Sequence, residues 1–120
     1  MERKHRLTRS IDFKRVRRKG TSHAHPLAVL ISSRNELAVT RVGVSAAKSI
    51  GNAVRRNRIK RRLREALRRQ LARIESGWDV VVIARPDAVL ADWDLLCSAV
   101  DGLLKQSGLL REPNRDDRKA

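Results

Sequence analysis

Cysteine occurs once in the 120 residues, as Cys97. A lone cysteine excludes an intrachain disulfide and any multi-cysteine zinc site, and it suits a reducing compartment. Aromatic residues are nearly as scarce, with Phe13, Trp78 and Trp93 and no tyrosine. Single-strand binders of the RNP type stack bases on several exposed aromatics, so that class is poorly supported. No uninterrupted apolar stretch approaches the ~20 residues of a membrane span, and no apolar signal-peptide core follows the basic N-terminus. A cytoplasmic protein with no membrane partner is expected. Acids are also few, 13 Asp and Glu against 28 Lys and Arg, for a formal charge of +15. Self-repelling charge of this size destabilises a compact state unless a polyanion neutralises it, and nucleic acid is the first candidate. With 41% apolar residues the chain still has enough for one modest core.

The basicity is concentrated in blocks. Net charge is +7 over residues 1–20, +1 over 21–47, +10 over 48–73 and −3 over 74–120. Between residues 55 and 64 there are seven Arg or Lys and no acid, whereas a merely solvated helix face alternates in sign.

Periodicity and punctuation predict the elements. Ser10 is a candidate cap for a first helix carrying Phe13 and Val16, with Gly20 as its left-handed stop. The apolar runs Leu27–Ile31 and Leu37–Val44, joined by a turn at 33–36, read as a hairpin. From Asn52 to about Ile74, residues Ile59, Leu63, Ala66, Leu67 and Ile74 share one narrow helical face, interrupted by Gln70. Both shoulders of that helix are basic, with Lys60, Asn57, Arg61, Arg64 and Arg68 on one side and Arg58, Arg69, Arg62, Arg55 and Arg73 on the other. Gly77 ends it, Val80–Ala84 reads as a strand buried on both faces, and Pro86 closes the strand. Asp92 is the expected cap of a last helix with an apolar stripe of Trp93, Leu96, Cys97, Val100, Leu103 and Leu104, stopped at Gly108. A single domain over residues 1–111 and a frayed tail over 112–120 are expected.

Catalytic groups in the protein itself are hard to assemble. His23 and His25 could act as a base and acid pair, but the spacing suits a solvated loop and no third group orients them. The carboxylates are scattered, which does not favour a two-metal nuclease. Cys97 on an apolar stripe reads as a small hydrophobe. Gly51 could admit a phosphate to the helix N-terminus, or Asn52 or Ser49 could simply cap it. Composition by itself leaves a structural or ribosomal RNA-binding protein and a stand-alone nuclease as readings.

The run Val42-Gly43-Val44-Ser45, Lys48-Ser49-Ile50-Gly51-Asn52-Ala53-Val54 and Arg55-Arg56-Asn57-Arg58-Ile59-Lys60-Arg61 closely resembles the signature of the bacterial ribonuclease P protein subunit. Asp12-Phe13, Gly20-Thr21-Ser22 and Asp79 to Arg85 extend the resemblance from about Leu7 to Leu109. It implies an α+β fold: an α-β-β-(β)-α-β-α two-layer sandwich with a left-handed βαβ crossover, like a ribosomal-protein domain. It further implies a non-catalytic protein that assists a partner RNA, using Mg²⁺, in removing the 5′ leader from precursor tRNA. The catalytic RNA and precursor tRNA are the implied partners, with no protein partner. Lys48, Arg56, Asn57, Arg58, Lys60, Arg61 and Arg64 correspond to RNA contacts, and Asn52, Arg55 and Arg68 join them as signature or flanking residues. Phe13 and Val16 would line the leader cleft. The position one turn after Phe13, commonly aromatic in the family, is Arg17 here, and the outward strand positions correspond to Ala28 and Ile31. Stacking on the leader is therefore expected to be weaker, with Arg17 supplying charge instead.

Overall fold

The computed structural model describes residues 1–111, so the expected tail at 112–120 lies outside the described residues. The order is α1 (Ser10–Lys19), β1 (Thr21–Ala24), β2 (Ala28–Arg34), β3 (Arg41–Ala46), α2 (Ala53–Gln70), β4 (Trp78–Ala84) and α3 (Trp93–Gln106), with short 3-10 turns between them. This is the α+β architecture that the resemblance implies, with all three strands present between α1 and α2.

The sheet runs β1-β2-β4-β3. The expected hairpin between the second and third strands is therefore corrected: β4 lies between them, antiparallel to β2 and parallel to β3. A strand as apolar as β4, with Val80, Val81 and Val82 wholly buried, gains most from a central place with a partner on each edge. β2 instead forms its hairpin with β1, a short polar edge strand with no alternating signal to betray it. Leu37, assigned to a strand by composition, is exposed in the loop before β3.

Alternation along the strands divides the core. Ala28, Leu30, Val42, Val44, Val80, Val82 and Ala84 face α2 and α3, which contribute Ile59, Leu63, Leu67, Leu96, Val100, Leu103 and Leu104. On the opposite face Ile31 and Val81 pack with Leu7 and Val16, against Phe13, Val29 and Ile83 at the margin. The long helix stops at Gln70 and a 3-10 turn carries the chain to Ile74. Gln70 is buried because its amide donates to Asp101 Oδ1 of α3 at 2.8 Å. Asp92 caps α3 as expected, accepting from Leu95 N at 2.8 Å, and Gly77 and Gly108 adopt positive φ.

Two expectations at α1 are corrected. Ser10 is the first helical residue and Arg9 occupies the cap position without a side-chain bond, so Ser10 is no cap. Gly20 is extended, with φ −79°. Glycine is needed there for space, since a Cβ would lie 2.5 Å from the Val16 carbonyl oxygen and 2.6 Å from Ile31 Cγ2.

A charged cluster fastens α1 to the start of β4. Asp79, 1% exposed, accepts from Arg41 Nε at 2.9 Å and Nη2 at 2.8 Å, from Asn35 Nδ2 at 3.0 Å and from Arg15 Nη2 at 3.3 Å. Arg15 also donates to Asp12 Oδ1 at 2.7 Å. Burial pushes the Asp79 carboxyl up, but the bonds from Arg41, Asn35 and Arg15 and the Arg41 charge outweigh it and hold the pKa below the ordinary 3.8. Because the folded pKa is depressed, this stabilisation is complete above 3.8 and is lost as the pH falls through the lower folded value. Asp79→Asn should therefore destabilise the protein by about 2 kcal/mol at neutral pH, less than for a fully buried pair because Arg15 and Arg41 stay partly solvated. Urea midpoints of the two proteins, measured from neutrality downward, should converge below 3.8.

Candidate nucleic-acid interface

The basic helix starts after a 3-10 turn at Lys48–Ile50, where Gly51 takes φ 124° and Asn52 Oδ1 accepts from Arg55 N at 3.0 Å. Asn52 is thus a helix cap. Ile59, Leu63, Ala66 and Leu67 turn into the core, which leaves the cations on two shoulders.

On the shoulder toward β3, Arg56, Asn57 and Lys60 line a shallow hollow with Ser45 and Ala46. Arg56 Nε is buried and has no acceptor among the described residues. On the other shoulder Arg55, Arg58 and Arg62 meet Val89 and Leu90. Arg55, Arg58 and Arg61 are exposed, as is Lys48. Other cations are committed to the fold. Arg62 Nη2 donates to the Ala91 carbonyl at 2.7 Å, Arg69 Nη1 donates to Cys97 Sγ at 2.7 Å, and Arg68 Nε donates to Glu65 Oε1 at 3.0 Å. The Arg68–Glu65 pair is itself exposed, so Arg68 stays on the basic shoulder.

A cleft of about 440 Å³ opens between α1, β3 and α2. Phe13 lies on its floor over Gly43, where a Cβ would come within 2.5 Å of the ring Cζ. Arg6, Lys14, Arg17, Lys60 and Arg64 surround it, and none of the lining residues is acidic. Burial, and then repulsion from Arg6 and Arg61, lowers the Arg64 pKa, so the cleft crowds like charges that an anion would relieve. The two tryptophans are covered by the chain's own arginines, Arg34 over Trp78 and Arg69 over Trp93, which leaves Phe13 as the aromatic of the cleft.

Phe13 and Arg17, both predicted for the cleft, meet there. Val16, Ala28 and Ile31 are corrected. Val16 is wholly buried beneath α1, and Ile31 belongs to the same apolar cluster. Ala28 faces α2 and α3 on the other side of the sheet. Residues three apart in a strand cannot share a face, so Val29 is the neighbour of Ile31 on the α1 side. The strand lining the cleft is β3, through Gly43 and Ser45. Arg6, Lys14 and Gly43 were not singled out from sequence as cleft residues; the N-terminal charge block and the Val-Gly-Val-Ser run were their only signals. His25 Nδ1 accepts from Leu27 N at 3.0 Å and shapes the turn between β1 and β2, which occupies the atom a general base would use. No described helix is long and apolar enough to cross a membrane.

The family profile described as ribonuclease P matches residues 1–108. The ribonuclease P protein component of Herpetosiphon aurantiacus is 40% identical over 121 residues, with 98% of each chain covered. That of Brevibacillus brevis is 37% identical, over 93% of this chain and 90% of its own. Among solved structures, the RNase P protein of Staphylococcus aureus superposes with a TM-score of 0.80 at 32% identity, covering 89% of this chain and 98% of that one. The Thermotoga maritima RNase P protein gives 0.76 at 30% identity, with 84% and 96% covered. The cation-lined cleft and the Arg-Asn-Arg helix are therefore features of a chain that belongs to the ribonuclease P protein family, the RNA-partnered protein components of the tRNA-processing ribonucleoprotein.

Proposed function

We propose that this protein binds the catalytic RNA of ribonuclease P through α2 and the 5′ leader of precursor tRNA through the α1–β3–α2 cleft, assisting Mg²⁺-dependent removal of the leader. The observation that carries this reading is the cleft itself, where one aromatic ring is surrounded by five cations without a counter-ion among the lining residues. A single-stranded segment supplies what that arrangement lacks, a base to lie on Phe13 and phosphates for the cations. Arg56, Asn57, Arg58, Arg61 and Lys48 continue the basic surface along α2 toward the larger RNA. The planar guanidinium groups of Arg56, Arg58 and Arg61 suit bidentate phosphate contact.

Catalysis is assigned to the RNA. The buried carboxylates Asp12 and Asp79 have oxygens engaged by Arg15, Arg41 and Asn35 and are poor Mg²⁺ ligands. Among the described residues no three His, Cys, Asp or Glu side chains come together for a metal. The ions belong instead with phosphates of the partner RNA and the substrate. The cytoplasm, where precursor tRNA is processed, is the corresponding location.

Protein stripped of all RNA should not cleave precursor tRNA, whereas protein reconstituted with the catalytic RNA and Mg²⁺ should cut at the leader junction. Correctly placed cleavage by the RNA-free protein would overturn the assignment. Binding to the catalytic RNA should weaken steeply with salt, with a log–log slope of roughly −4 to −5 for about six phosphate contacts. Replacing Arg58 and Arg61 by Ala should lower both affinity and slope without unfolding α2, because neither side chain is in the core. In the cleft, Phe13→Ala should cost roughly 1–3 kcal/mol of precursor binding. Mature tRNA should be nearly unaffected. Arg17→Ala should spare thermal stability, since Arg17 is exposed, and should weaken only substrates that carry a leader.

A further inference from the structure

The cleft needs Phe13 and Arg17 at a fixed height and rotation, yet both belong to a ten-residue helix lying on one face of the sheet. Setting Asp12 at the origin and advancing about 100° per residue, Val16 lies near 40°, Phe13 near 100° and Arg17 near 140°, with Arg15 about 60° the other way. The face of α1 toward the sheet thus has three parts. Arg15 and Asp12 form one edge, Val16 is the buried pivot, and Phe13 and Arg17 form the edge that lines the cleft.

Apolar packing of Val16 on Ile31 and Val81 holds the helix against the sheet but resists rolling weakly, because apolar contact is not directional. The charged edge is directional. Arg15 reaches both Asp12 at 2.7 Å and Asp79 at 3.3 Å, while Arg41 holds Asp79 through two nitrogens and stands farther from Asp12, at 3.9 Å. Asn35 donates to the same carboxylate through Nδ2 at 3.0 Å. Three of the four hydrogen bonds that hold Asp79 thus come from the sheet and its loop, and one comes from α1. At the far edge, the Phe13 ring occupies the space over Gly43 that any side chain there would fill.

From this geometry we infer that Arg15 is a positioning residue: by bridging Asp12 of α1 to the fixed carboxylate of Asp79 it sets the roll of α1, and so presents Phe13 and Arg17 to the leader. This rests on the leader-cleft reading above and makes the discrimination between precursor and mature tRNA by Phe13 and Arg17 depend on a residue outside the cleft. Arg15 is not among the residues that line the cleft, so its effect on the leader is transmitted through the helix.

The test uses the full chain and a readout that does not involve RNA. Gly43 lies against the Cζ–Cε1 side of the Phe13 ring, so its amide and α-proton resonances carry the ring current, and Phe13→Leu defines that contribution while keeping an apolar side chain. Arg15→Gln should move the Gly43 resonances part of the way toward their Phe13→Leu positions, and Arg15→Lys, which can still bridge two carboxylates, should restore them in part. The precursor-to-mature tRNA affinity ratio should fall about threefold to tenfold in Arg15→Gln, with mature tRNA losing only what one fewer cation removes. Gly43 resonances unmoved in a folded Arg15→Gln protein would overturn the positioning role and leave the leader reading intact. A ratio unchanged in both Arg15→Gln and Phe13→Leu, with Gly43 displaced in both, would instead refute the leader cleft, and the inference would fall with it.

Discussion

One carboxylate, Asp79, joins the parts of this fold that local structure cannot join. It lies at the start of the central strand, and its oxygens receive donors from α1, from the loop after β2 and from β3. A buried carboxylate in this position is costly unless its hydrogen-bonding capacity is filled, so the three segments must arrive together. The cleft exists because they do. Its wall is α1, its floor is β3, and the cluster at Asp79 orients the first against the second.

A second constraint is the disposal of +15 charges on one small core. The solution is a division of labour among arginines. Arg15 and Arg41 are bound to carboxylates, Arg62 to backbone carbonyls and Arg69 to a thiol and an indole face. Arg6, Arg17, Arg64, Lys14 and Lys60 are left around a cleft whose lining has no acid, and Arg58 and Arg61 remain exposed on α2. Like charges gathered in this way are a standing demand for phosphate. The acidic C-terminal third adds to the asymmetry, since Asp92 and Asp101 are used as a cap and as a buried hydrogen-bond partner.

Much of this organisation was legible in the sequence. The long basic helix and its buried Ile59, Leu63, Ala66 and Leu67 follow from a period of 3.6, and β4 follows from an unbroken apolar run between Gly77 and Pro86. The motif around Arg56-Asn57-Arg58 carried the family. The candidate site was only half legible. Phe13 and Arg17 were placed in the cleft, but Val16, Ala28 and Ile31 were not cleft residues, and Arg6, Lys14 and Gly43 were missed.

The sequence by itself determined the three helices and the apolar strands β2, β3 and β4, because an apolar period is a local property, whereas the polar edge strand β1 carries no such signal. It also determined the chemistry of the partner, because charge is conserved on folding. Tertiary structure alone decided that β4 separates β2 from β3, since strand pairing is a choice among distant edges that no local pattern encodes. It decided that Gly20 is glycine for lack of room and not for its dihedral angles, because the crowding comes from Ile31 and Ser32 on another strand as well as from the preceding turn. It also decided which arginines are engaged by the protein's own groups and which are left exposed, because identical side chains differ only in the partners that folding brings within reach.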